Sequence, residues 1–303
     1  MTVLTSRVIE FGDDLAISER NREPIMLEKT PGDSVHPFDR ATKTTTIDGR
    51  LHGTASEDYW AFVGPFGGAT GATLLRAMIE HPDRAGDPLT VTVNFCAPLA
   101  RAEFQVNVRL LRANRSSQHW MAELAQEDNG VVAFATAVFA TRRESWSHQQ
   151  TAMPAAPLAG QIAPLPNAGI ANWTQQYQFR FVEGTPDYNG GTRREIPASA
   201  FSKMWLSDAT PRPVDFLSLL SMSDTFFARI FHVLGVIVPI GTVSLTTAFH
   251  ADATDLAAED TTTVLGVADA NIFHKNYSDQ IGQLWAPSGR LLATTTQVCY
   301  FKA

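Results

Sequence analysis

The chain has 303 residues, 44% hydrophobic and 18% charged, which is enough to build two cores of ordinary size. Its formal charge of -7 argues against a nucleic-acid partner, because binding phosphates needs a concentrated basic surface. Two cysteines, Cys96 and Cys299, supply neither a disulfide framework nor a CxxC metal spacing, and both fall in apolar, strand-like runs that suit buried thiols.

Residues 1–36 mix charge, proline and glycine without sustained periodicity and read as an N-terminal extension. They show no basic start followed by an apolar core, so a cytoplasmic protein is expected. The runs ATKTTTIDGRLHG and DYWAFVG are rich in strand formers. They lead into GPFGGATGATLLRAMI, Gly64 to Ile79, where Arg76 is the only charged residue. A helix apolar on nearly every side must be buried. Small residues at Gly68, Gly71 and Ala72 permit close backbone approach, and Pro82 ends the helical run. PLTVTVNFCAPL, EFQVNVRLLRA, QHWMAELAQE and VVAFATAVFATRR then read as consecutive antiparallel strands. One helix wrapped by a curved sheet, an α+β unit over residues 37–146, is the expected result.

Residues 147–170 carry Pro154, Pro157, Pro164 and Pro166 with almost no charge and read as a semi-extended linker. The second unit, residues 171–303, opens on the strand-like WTQQYQFRFVEG, turns at Asn189-Gly190-Gly191, and continues through SAFSKMWLSD. Pro213 to Phe231 then reads as a second, mostly apolar helix, followed by four strand runs. The apolar run Ile230–Leu245 is roughly 16 residues, shorter than the roughly 20 needed to span a bilayer, and His232, Pro239 and Gly241 interrupt it. No membrane association is expected. The order of elements repeats between the halves: Asn94-Phe95 aligns with Ala248-Phe249, and Asn129-Gly130 with Ser288-Gly289, which points to duplication of one unit.

Three polar residues of the second half stand against this apolar background. Asp224 shares a helical face with Leu217, Leu220, Phe227 and Phe231, where an unpaired carboxylate would cost several kcal/mol; it is either a structural hydrogen-bonding group or a functional one. Gln297 falls on the apolar side of the last strand with Leu291, Ala293, Cys299 and Phe301, and a buried amide requires partners. Thr242 opens a strand, where threonine is common. Aligned on Phe95 and Gly130, the first half has Pro88 opposite Thr242 and Val138 opposite Gln297, and its helix holds no acid. Chemistry is expected in the second half alone.

The series GPFGGATGATLLRA, VTVNFCAPL and NGVVAFATAVFATRR, then SDTFFARI, TVSLTTAFH and GRLLATTTQ, resembles the type II (TesB-like) acyl-CoA thioesterases over residues 50–303 apart from the linker. The resemblance implies two tandem hotdog domains, each a long central helix wrapped by a curved antiparallel sheet. It implies hydrolysis of acyl-CoA to a free acid and CoA, with Asp224, Thr242 and Gln297 as the hydrolytic group. Direct water attack, with no metal or cofactor, follows from such a trio, and no GxSxG elbow occurs in the chain. Gly67 and Gly68, at a helix N-terminus, are candidate oxyanion or substrate-binding positions, or simply permit close packing. The chain departs from the family where Ala97-Pro98 lacks an arginine and where Val298 replaces an acid. A homo-oligomer is expected, since a double sheet leaves a broad face or edge to cover.

Two other readings compete. A hotdog hydratase would use His232 or His250 with a carboxylate, and a non-catalytic acyl-CoA binder would keep the pocket without turnover. A dinucleotide fingerprint at Gly68-Ala-Thr-Gly71 fails because Leu74 stands where a third glycine is required.

Overall fold

The computed structural model describes residues 35–166, 171–188 and 191–303. Nearly all of the expected N-terminal extension, the last four residues of the expected linker and the Asn189-Gly190 part of the expected turn lie outside the described residues.

The buried helix of the first half, α2, runs Gly67–Ile79, after a short α1 (Pro37–Thr42) and the small strands β1 (Thr45–Ile47) and β2 (Arg50–Thr54). Ala72, Leu74, Leu75 and Met78 are completely buried. Arg76, its one charge, is answered by Asp39 at 2.6 Å and by Thr42 Oγ1 at 3.0 Å, both from α1. DYWAFVG, expected as strand, instead forms a single 3-10 turn over Glu57–Tyr59 and a lone bridge from Trp60 to Pro65. Four long strands follow: β3 (Asp87–Phe95), β4 (Glu103–Ala113), β5 (Ser117–Gln126) and β6 (Gly130–Ala140).

The second half contributes β7 (Tyr177–Glu183), β8 (Ser202–Asp208), α3 (Phe216–Met222), α4 (Arg229–Leu234), β9 (Ile240–Phe249), α5 (Ala253–Glu259), β10 (Thr263–Asp269), β11 (Phe273–His274), β12 (Tyr277–Trp285) and β13 (Leu291–Phe301). The second long helix is therefore corrected to two short ones. Between them the chain turns tightly, with Asp224 N–H donating to Ser221 O and Thr225 N–H to Met222 O. Beyond the turn, the buried Arg229 guanidinium donates to the Phe227 carbonyl, to Ala200 O and to Ser202 Oγ. Unexpected from the strand pattern, α5 is started by a capping box in which Asp252 and Asp255 each accept the other's backbone N–H.

Among the described residues the strands form one antiparallel sheet, ordered β1-β2-β4-β5-β6-β3-β9-β13-β12-β10-β8-β7. The halves join where β3 pairs with β9, and the register is symmetric about Thr92 opposite Thr246. Phe95 and Phe249 stand equally far from that pair, in keeping with the sequence alignment. The alignment of the last strands shifts by one: Val91 pairs with Ala137 and its equivalent Leu245 with Gln297, so Ala137, not Val138, is the counterpart of Gln297. The hairpin before β13 carries one more residue after its glycine, Arg290, which accounts for the shift. The linker crosses the outer face of the second half. Met153, Ala156, Ala159 and Ile162 pack on Trp205, Leu265 and Trp285, and Trp205 Nε1 donates to Pro157 O at 2.8 Å. No helix among the described residues is long and apolar enough to cross a membrane.

Candidate active site

Asp224 lies in the break after α3, not on a continuous helical face. There it meets the N-terminus of α2, which belongs to the other half. The approach is close because α2 begins with glycines: a Cβ added at Gly67 would lie 2.7 Å from Asp224 Oδ2 and 3.0 Å from Phe95 Cζ. At Gly68 it would lie 2.6 Å from Ser221 O. Side chains at either position would push the two halves apart.

Asp224 accepts two hydrogen bonds, from Gln297 Nε2 at 2.6 Å and from the backbone N–H of Gly68. The carboxyl is packed among protein atoms while the residue keeps a solvent-accessible edge. Burial raises its pKa to about 7, and the Gln297 and Gly68 bonds act against that rise. A carboxyl that titrates near neutrality is suited to accept a proton at working pH. The positive end of α2 adds to the stabilisation of its charged form. With its N–H engaged by Asp224, Gly68 supports the carboxylate and is not a free oxyanion donor.

Gln297 is held at both ends. Its Nε2 also faces Ser223 O at 3.5 Å, and its Oε1 accepts from Cys299 Sγ at 3.6 Å. Thr242 enters the group through a register irregularity. Cys299 pairs with Thr242 and Val298 with Ser244, leaving Val243 as a bulge residue, 40% exposed. The bulge turns Thr242 to the inner face, where it hydrogen-bonds the Cys299 thiol. The three expected residues therefore form one connected group, with Cys299 linking Thr242 to Gln297. Burial first and the nearby Asp224 carboxylate second push the Cys299 thiol up to about 12, so it is not a thiolate nucleophile at neutral pH. The other cysteine, expected to be buried, is exposed at Cys96, just past the end of β3.

The equivalent place in the first half is sealed. β3 carries the same bulge, at Leu89, but Pro88, Ala137 and Phe139 replace Thr242, Gln297 and Cys299. Val298 alternates to the outer face, 42% exposed, so the missing family acid does not face Asp224. The histidines of the hydratase reading are elsewhere: His232 is buried, with burial pushing its pKa down to about 3, and His250 is exposed and bonded to Thr294 Oγ1. Neither touches Asp224. A cleft of about 280 Å³ also lies away from the site, between the linker and strands β7, β8 and β10.

A solved structure from Alicyclobacillus acidocaldarius, described as a conserved protein of unknown function with a hotdog fold, is 42% identical, with a TM-score of 0.82 over 89% of this chain and 99% of that one. The putative thioesterase II of Thermobifida fusca (17% identity, TM-score 0.74) and the TesB protein of Mycobacterium avium subspecies paratuberculosis (17%, 0.67) each align over 88% of this chain and 98% of their own. No curated protein matches. The fold is that of the hotdog-fold thioester hydrolases. Models of the acyl-CoA thioesterase N-terminal and C-terminal domains match residues 56–140 and 148–301, and the chain belongs to the acyl-CoA thioesterase family.

Proposed function

We propose that this chain hydrolyses acyl-CoA by direct attack of water, with Asp224 as the general base. The observation that carries the reading is the hydrogen-bonded, near-neutral carboxyl of Asp224 held between Gln297 and the first turn of α2. Asp224 takes a proton from water as the water oxygen bonds to the thioester carbon. The tetrahedral intermediate then expels CoA thiolate, which receives the proton from Asp224, and the free acid leaves. Gln297 anchors the base. Thr242, partly exposed at the mouth of the group, orients the water. Gly67, whose backbone lies close to Asp224 Oδ2 at the start of α2, is the candidate oxyanion position. No metal or cofactor takes part in this scheme.

The reading assigns one site to each chain, built where two tandem hotdog units, residues 37–146 and 171–303, meet. The family matches over residues 56–140 and 148–301 support two units. A homo-oligomer is supported by the outer sheet face, where Ile281 and Val298 are each 42% exposed beside the uncharged Thr92–Thr246 pair. A reducing, cytoplasmic setting is supported by two unpaired cysteines.

The test is release of free thiol from short, medium, long and aromatic acyl-CoAs. Wild type turns over at least one class. Asp224→Asn and Gln297→Ala, both folded, lose at least about a hundredfold in kcat/KM, the scale of a positioned acid–base group. Binding of acyl-CoA without thiol release would refute the reading in favour of a binding protein, and hydration of enoyl-CoA would move it to a hydratase.

A further inference from the structure

We infer that Cys299 is a positioning residue for the hydrolytic group: its thiol, bonded to Thr242 on one side and to Gln297 on the other, fixes the orientation in which the Gln297 amide supports Asp224. The inference rests on the hydrolase reading above.

Two hydrogen bonds run in one direction, with Thr242 against the sulfur: Cys299 Sγ donates to Gln297 Oε1 at 3.6 Å, and Gln297 Nε2 donates to Asp224 Oδ1 at 2.6 Å. A primary amide has two nearly isosteric ends, and only one is useful here. With its oxygen toward Asp224, Gln297 would set two acceptors against each other. A donor at position 299 determines which end faces the carboxylate, because it satisfies the oxygen at the far end. Ser223 O, at 3.5 Å, is an acceptor facing the same Nε2 and favours the same orientation. Chains of hydrogen bonds polarise one another inside protein, which strengthens the last bond in the series.

The duplicated register supplies an independent observation. Cys299 pairs with Thr242 just as Phe139 pairs with Pro88 in the first half, and both pairs stand beside a bulge. Phe139 is fully buried and has no donor, and Ala137 stands beside it where Gln297 stands in the second half. The half that carries Asp224 has a small thiol at that place. Packing alone would be met by an apolar residue, as Phe139 shows. The thiol is also 6% exposed, so it acts from within the wall and does not touch solvent-borne substrate extensively.

Removing the donor frees the Gln297 amide and weakens the bond that holds the charged form of Asp224, so the carboxyl should titrate higher. The titratable groups packed around it are Tyr177 of β7, whose hydroxyl bonds Ser221 Oγ at 2.7 Å, and Cys299 itself. Gly68 of α2 contributes a backbone donor and no charge.

The experiment compares Cys299→Ala and Cys299→Ser with wild type by two readouts. The first is kcat and KM for thiol release; the second is the titration of the Asp224 carboxyl followed by carbon-13 NMR, assigned with Asp224→Asn. Cys299→Ala is expected to lower kcat about tenfold, the scale of one oriented hydrogen bond, with KM within about twofold of wild type, and to raise the Asp224 midpoint. Cys299→Ser, which restores a donor, returns kcat to within about threefold and the midpoint to wild type. A residue that only packs would leave the titration unmoved. The inference is overturned if Cys299→Ala keeps the wild-type kcat and midpoint, or if Cys299→Ser fails alongside it. If wild type releases no thiol from any acyl-CoA, the hydrolase reading fails, and the titration alone still decides whether Cys299 orients Gln297.

Discussion

Replacing Asp224 by Asn should make the folded protein less sensitive to alkali. The unfolded carboxyl titrates near 3.8 and the folded one near 7, so between those values the folded state holds a proton that the unfolded state has lost. Stability therefore falls as pH rises through that window, and the full loss is in place above pH 7. Three pK units at about 1.4 kcal/mol each set an upper value of about 4 kcal/mol. The accessible edge of Asp224 reduces this to about 2–4 kcal/mol. Asn carries no charge and removes that slope, although its amide accepts from only one of the donors at Gln297 and Gly68, a penalty that does not vary with pH. Urea unfolding of both proteins at pH 4, 6 and 8 gives the stability difference directly. The Asn variant should gain about 2–4 kcal/mol relative to wild type between pH 4 and pH 8. A difference that stays level across the series would refute the argument, because it would place the folded carboxyl near its ordinary value and remove the basis for its role as base.

Gly67→Ala adds a methyl 2.7 Å from Asp224 Oδ2 and 3.0 Å from Phe95 Cζ, so kcat should fall at least about tenfold. Thermal unfolding should show a lower stability as well, because the methyl forces α2 away from Asp224 and Phe95. Asp208, buried with an unpartnered Oδ2, is also raised to about 7 by burial. Asp208→Asn should thus stabilise the protein at pH 8 relative to pH 4, as urea titration reads, while thiol release stays at the wild-type rate.

Much of the architecture was legible because the patterns are local. Arg76 as the only charge from Gly64 to Ile79 identifies α2 as buried, and the Phe95 and Phe249 runs show the duplication. Gln297 could be read from strand alternation. Asp224 and Thr242 resisted for long-range reasons. The helix expected through Asp224 ends at Met222, and beyond the break Arg229 is tied to the carbonyls of Phe227 and Ala200, the latter from a segment distant in sequence. Thr242 faces inward only because Val243 bulges, and a period of two carries no sign of a bulge. The Gly68 bond to Asp224 joins two halves whose meeting no helical or strand period encodes. The link through Cys299 depends on the same register and on a thiol that composition marks only as apolar.

The central claim, that Asp224 is the base for hydrolysis, is tested most directly by the pH dependence of kcat/KM for thiol release from the best acyl-CoA substrate. With the carboxyl titrating near 7, activity should be low at pH 5, rise through a single ionisation about that value and level off at higher pH, and Asp224→Asn should remain low throughout. A wild-type profile flat from about pH 5 to 9, or an Asn variant that keeps the wild-type rate, would contradict it.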